Sequence, residues 1–259
     1  DGVWTTPPLD GRVLPGIARQ WLLEHAPAGT FDERPIDLGD LHLDQATAKV
    51  LAQAEEIAKK AGDSYVTAER LLVALAGPPA VGKSTLAEGL AEGLSARGAG
   101  AVVVPMDGFH LDNRVLERRG LLARKGAPET FDAAGFLALV RRLGPERELV
   151  APVFDRARDI AIAGALEIRP EHRVAVVEGN YLLFDAPVWR DLARYWDMSV
   201  RIAADIATLE ARLVARWRTH GHSEADALRR ARGNDLANAR TIMAAELPAT
   251  WVLESDAPV

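Results

Sequence analysis

Short, continuously apolar runs recur along the last two thirds of the chain, at residues 71–76, 101–105, 174–177 and 198–202, with 251–253 as a further candidate. Runs of this length and character read as strands buried on both faces. Between them, apolar residues fall at helical spacing over 84–97, 132–143, 205–219, 223–232 and 235–246. Alternating strands and helices predict a mostly parallel sheet covered on both faces, a three-layer α/β architecture.

The first seventy residues have a different texture. Residues 1–40 are rich in Pro and Gly and read as loops around one short helix near 17–25. From Asp44 the spacing of Ala46, Val50, Leu51, Ala54, Ile57 and Ala58 predicts an amphipathic helix, with Gly62 as its stop. A shorter helix is expected from Thr67, as N-cap, through Glu69 and Arg70. Charge divides at the same place. Residues 1–70 carry 7 basic and 12 acidic side chains, and residues 71–259 carry 24 and 25. The chain is therefore expected to consist of a mainly helical and irregular extension, 1–70, and an α/β domain, 71–259.

Composition narrows the function classes. A net charge of −6 over 259 residues argues against holding nucleic acid or an anionic membrane by bulk positive charge. The lack of cysteine excludes disulfides, thiolate metal sites and cysteine nucleophiles. No apolar run approaches the length of a spanning helix, and the first 25 residues, with Pro7, Pro8, Pro15 and several charges, are unlike a signal peptide. A cytoplasmic protein is expected, and a homodimer is left open. His220 and His222, two apart, do not have the spacing of a helical zinc site.

The chemistry is concentrated at strand ends. Gly77-Pro78-Pro79-Ala80-Val81-Gly82-Lys83-Ser84 matches G-x-x-x-x-G-K-[ST] between a predicted strand and a predicted helix. Glycines there let backbone N–H groups and a helix N-terminus point at phosphate oxygens. Lys83 would reach the β and γ phosphates of ATP, and the Ser84 hydroxyl would ligate Mg²⁺. Asp107 ends the second strand, on the sheet edge where α/β proteins bind ligands. It can take a proton from a hydroxyl or position metal-bound water, although an Asp before Gly is by itself more often a turn residue. Glu178 ends the third strand, where an acid can hold Mg²⁺ directly or through water. No Asn-Lys-x-Asp guanine-reading motif occurs, which disfavours a GTPase. On the helix from Asp205, Ile206, Leu209, Leu213 and Trp217 form an apolar stripe while Arg212 and Arg216 share another face. Two readings stand for that pair: a lid clamping the transferred phosphoryl, or a solvated face paired with Glu210 and Asp205.

Taken in order, GPPAVGKST, PMDGFHLDN, RKGAPETFD, PVFDRARDIA and VVEGNYLL resemble the phosphoribulokinase/uridine kinase family of P-loop kinases, which includes type I pantothenate kinase, over about residues 70–247. The resemblance implies a P-loop NTPase fold with an Arg-bearing lid helix, and transfer from Mg·ATP to a hydroxyl of a small metabolite: pantothenate-like, nucleoside or sugar. It assigns residues 77–85, through Thr85, to the ATP phosphates and Mg²⁺, and Asp107 to general base. His110, Arg124, Lys125, Phe154, Arg156 and Arg158 fall to the acceptor side, with Glu178 beside both metal and substrate. Asn234 and Asn238 resemble a late motif near the nucleotide. At the front, TTPPLDGRVLPGIARQWLLE resembles a fragment of a class IV aminotransferase or aminodeoxychorismate lyase, over 1–38. LDQATAKVLAQAEEIAKKAGDSYVTAERLLVALA resembles half of a ClpB N-terminal domain, over 42–75. PLP chemistry is not expected, because no Schiff-base lysine segment lies upstream of the fragment. These fragments suggest a fusion or hybrid, and leave as alternatives a nucleotide-dependent protein-binding module and an inactive nucleotide-binding hybrid.

Overall fold

The structure, a computed structural model, describes residues 4–5, 31–32, 70–96, 98–219 and 221–255. Strand β1 (Leu71–Ala76) runs through the loop 77–82 into helix α1 (Lys83–Ala96). There follow β2 (Ala101–Pro105), α2 (Asn113–Arg118), α3 (Ala133–Leu143), β3 (Leu149–Asp155), β4 (Ile160–Ile168) and β5 (Val174–Gly179). The chain then forms β6 (Met198–Ala203), α4 (Ile206–Thr219), α5 (Glu224–Arg230), α6 (Leu236–Ala244) and β7 (Trp251–Glu254).

Five strands pair in parallel in the order β2-β5-β1-β6-β7. Alternate residues of the central strands supply two cores. Leu72, Ala74, Val104, Ala175 and Val177 pack toward α3 and an aromatic group containing Phe131, Phe136, Tyr181 and Trp189. Val73, Leu75, Val176, Val200 and Ile202 pack toward α1, α4 and α6 through Leu86, Leu90, Leu209, Leu213 and Leu236. Strand β5 is buried along its whole length. A strand with helices on both sides has no polar face, which is why these segments are continuously apolar.

Two segments differ from expectation. PVFDRARDIA, which no predicted strand flanks, forms the tip of an antiparallel hairpin in which β3 pairs with β4, with residues 156–159 as the turn and a register shift between Ala151 and Val153. The polar DRARD stretch masked the strands on either side. Arg70 is not helical. It is buried, and its guanidinium donates to the carbonyls of His172 (2.7 Å), Glu146 (3.1 Å), Arg147 (3.0 Å), Arg169 (3.3 Å) and Leu143. Five acceptors around the foot of β1, from the end of α3 and from the connections on either side of the β3–β4 hairpin, keep that cation from being an uncompensated buried charge. The helices expected over 17–25 and 44–62, and the start of that from Thr67, lie outside the described residues.

Candidate active site

The loop after β1 turns on three positive φ angles, at Gly77 (152°), Ala80 (64°) and Gly82 (100°). A Cβ at Gly77 would lie 2.5 Å from the Ile202 carbonyl oxygen, so only glycine fits where the loop crosses β6. Pro78, Pro79 and Val81 complete the cradle, and α1 begins at Lys83, so its first N–H groups and dipole face the loop. Lys83 is buried and its Nζ donates to the Pro78 carbonyl at 2.9 Å. Burial pulls its pKa down to about 8, while Glu178 and Asp107 oppose that shift. Ser84 and Thr85 are exposed on the first turn of α1.

Glu178 lies in β5, beside β1 in the sheet. Burial raises its pKa, against the nearby Lys83 cation and a hydrogen bond from Ser84. Hydroxyl and carboxylate together make a hard, oxygen-only donor set of the kind Mg²⁺ takes, so these residues fit that ion. Asp107 sits on the one-turn helix Met106–Phe109 that follows β2, with Met106 buried in the core. Gly179 packs against Met106, where a Cβ would come within 2.5 Å of the Met106 Cβ. Asp107 Oδ2 accepts from Arg156 Nη2 at 2.8 Å.

The residues expected on the acceptor side gather around the same turn. His110 Nδ1 lies 2.8 Å from the Asp107 carbonyl oxygen. Because a carbonyl only accepts, Nδ1 carries the proton and Nε2 is left as an acceptor. The ring lies between Phe131 and Phe154, at centroid distances of 4.1 and 4.6 Å, and burial lowers its pKa. Lys125 sits 5.0 Å from the Phe154 ring centroid and donates to Asn113 Oδ1 (2.7 Å), while pairing with Asp159 (2.8 Å). Arg124 pairs with Glu129 at 3.2 Å, and Arg158 with Asp155 at 2.7 Å, both largely exposed. Sequence reasoning missed Tyr181, whose hydroxyl donates to the Gly126 carbonyl at 2.6 Å, and Thr130, whose hydroxyl accepts from the Gly126 N–H at 2.9 Å. It also missed Asn113 and Asp159, the partners of Lys125. Both Tyr181 and Thr130 lie inside quoted motifs, but only the fold brings them to one turn.

On α4, Leu209 and Leu213 are buried and Ile206 and Trp217 partly so, as the stripe predicts. Neither reading of the arginine pair holds whole. Arg212 donates to Ser255 Oγ (2.9 Å) and to the Ser255 carbonyl (3.0 Å), and Ser255 Oγ in turn reaches the Val81 carbonyl (3.3 Å). Arg216 is close enough to Lys83 to disfavour its charge. Glu210 pairs instead with Arg232 at 2.6 Å. Asn234 and Asn238, expected beside the nucleotide, lie next to Gly126: Asn234 Nδ2 donates to the Lys125 carbonyl at 2.7 Å, and the Nδ2 atoms of both approach the position of a Gly126 Cβ. Asn234 lies in a π turn, Ala231–Asp235, that joins α5 to α6.

The class IV amino-transferase family matches residues 1–57, a stretch of which the structure describes only Trp4–Thr5 and Phe31–Asp32. A provisionally named uridine kinase of Schizosaccharomyces pombe is 33% identical over 204 residues, covering 75% of this chain and 87% of its own length. A pantothenate kinase of Enterococcus faecalis is 31% identical over 150 residues, 56% of this chain and 49% of its own, so the chain spans about half of that relative. The crystal structure of a provisionally named fructose transport system kinase from Silicibacter sp. TM1040 matches with a TM-score of 0.75 at 57% identity, over 80% of this chain and 98% of that one. The chain belongs to the phosphoribulokinase/uridine kinase family of P-loop kinases, ATP-dependent enzymes that phosphorylate small molecules.

Proposed function

We propose that residues 71–259 transfer the γ-phosphoryl group of ATP to a hydroxyl of a small metabolite, with Asp107 as the general base and residues 1–70 as an attached segment. The observation that carries this reading is that Asp107, Glu178 and the buried ammonium of Lys83 come together at the C-terminal ends of three neighbouring strands, β2, β5 and β1, with both carboxylates close enough to stabilise the Lys83 charge. Lys83 neutralises the phosphates and the N-terminus of α1 holds them in line. Ser84 and Glu178 would hold Mg²⁺, with Asp107 as the further carboxylate near it; the ion, when bound, would supply positive charge against the phosphate oxygens. Arg216, beside Lys83 on the α4 side, can close over the transferring group and exclude water, while Arg212 holds Ser255 against the loop carbonyl of Val81. Asp107 takes the proton of the attacking hydroxyl. The wall formed by His110, Phe131 and Phe154 orients the acceptor, with Lys125 and Arg156 at its rim. Positioning and charge neutralisation provide most of the acceleration.

Relatives bearing the names of uridine, pantothenate and fructose-system kinases put a nucleoside, pantothenate and sugars on the acceptor panel. Transfer of labelled γ-phosphate from ATP across that panel is the direct test, and free phosphate as the sole product would count against the reading. Asp107→Asn is expected to leave ATP affinity nearly intact and to lower turnover by about a hundredfold or more, the size of a lost general base. Unchanged turnover would remove Asp107 from that role.

A further inference from the structure

Four cations line the acceptor side, and three are held by carboxylates outside the reacting line: Arg124 by Glu129, Lys125 by Asp159 and Arg158 by Asp155. Arg156 differs. Its carboxylate partner is Asp107 itself, at 2.8 Å, and its side chain is 59% exposed. It projects from the hairpin turn between β3 and β4, whereas Asp107 sits on the turn after β2. An Oδ2 that already accepts from a guanidinium is poorly placed to take a proton from a hydroxyl or from water.

We propose that Arg156 is a specificity-determining guard: it covers Asp107 until an anionic group on the acceptor draws the guanidinium away. The inference rests on Asp107 being the base. Exchanging one anion for another keeps Arg156 paired throughout, whereas a neutral acceptor must break the ion pair without replacement. The acceptor class favoured is therefore a hydroxy acid or another polyol bearing a carboxylate or phosphate. Without acceptor, the same contact restrains ATP hydrolysis. In that side reaction a water oxygen bonds to the γ phosphorus, the bond to the β–γ bridging oxygen breaks, ADP leaves, and the water proton passes to Asp107.

The experiment measures ATP hydrolysis without acceptor, in the full chain, for the unaltered protein, Arg156→Gln, Arg156→Lys, and Arg156→Gln combined with Asp107→Asn. Arg156→Gln is expected to raise hydrolysis by about fivefold, the scale of a part-exposed ion pair. Arg156→Lys should keep it low, and the double variant should return it to the unaltered level or below. Sodium acetate, a carboxylate with no hydroxyl to phosphorylate, should stimulate the unaltered protein saturably and leave Arg156→Gln unmoved, with sodium chloride at equal ionic strength as control. Normal phosphoryl transfer with no rise in Arg156→Gln, or a rise that persists in the double variant, overturns the guard alone. An unaltered protein that turns over ATP by neither route overturns the kinase reading and the guard with it.

Discussion

Gly108 is where the turn carrying Asp107 comes against the β3–β4 hairpin, and substituting it tests whether that contact sets the site. A Cβ built at Gly108 would lie 2.2 Å from the Pro152 carbonyl oxygen, 2.6 Å from its carbon and 3.1 Å from the Val153 nitrogen. All three are backbone atoms, so no side chain can rotate away. Relief to an ordinary contact requires the turn and the hairpin to separate by about 1 Å. Two consequences follow for Gly108→Ala. Overpacking is expected to cost ~1–3 kcal/mol, read as a lower urea midpoint at constant slope. Displacing the base from the reacting line by about 1 Å is expected to lower kcat/KM by about a hundredfold, measured where the variant is fully folded. Gly89→Ala is the matched control. It lies in α1 with nothing within 4 Å of its Cβ position, so helix propensity should add up to ~1 kcal/mol of stability with activity unchanged. A Gly108→Ala protein within ~0.5 kcal/mol and twofold of the unaltered one would refute the idea that this contact fixes the site.

Two further expectations concern Lys83 and Arg70. In the free protein the Lys83 pKa is lowered to about 8, so its charge, and with it kcat/KM for ATP, should decline as pH rises through about 8, with kcat less affected because bound phosphates favour the ammonium. The same shift means the unfolded chain binds more protons than the folded one between about 8 and the ordinary lysine value. Lys83 therefore contributes a stability gain as pH rises across that window. A flat kcat/KM profile from pH 7 to 9.5 would contradict this assignment. Arg70→Met should destabilise the fold by about 3 kcal/mol, because it removes the donor shared by five carbonyls at the foot of β1. Urea titration measures it, and a loss below ~1 kcal/mol would show that water satisfies those carbonyls equally well.

Much of the fold was legible because its signals are local. Strand β2 lies where an apolar run placed it, and β5 and β6 extend theirs by a residue or two. Helices α3 and α5 begin behind Asp132 and Ser223, whose side chains accept from the N–H groups of Gly135 and Asp226. The β3–β4 hairpin escaped although its strands carry the apolar runs LVAPVF and IAIAGAL, because Pro152 and Gly164 interrupt them and the charged DRARD turn lies between. Arg70 escaped for a related reason. Nothing in a short sequence window tells a cation heading for solvent from one heading for five carbonyls.

By itself the sequence determined the parallel α/β layering, the phosphate loop and the strand-end position of Glu178, and it put Asp107 at the edge of β2, where the structure has it on the one-turn helix just beyond, because periodicity and motif spacing are properties of neighbouring residues. Only the tertiary structure decided what each charge touches. It brought Arg156 onto Asp107 across 49 residues, set Arg212 on Ser255 and moved Asn234 and Asn238 to the Gly126 turn. Ion pairs and hydrogen bonds act over a few ångströms, and which residues come that close depends on how the sheet and its helices pack, a relation between distant segments that no single window of sequence contains.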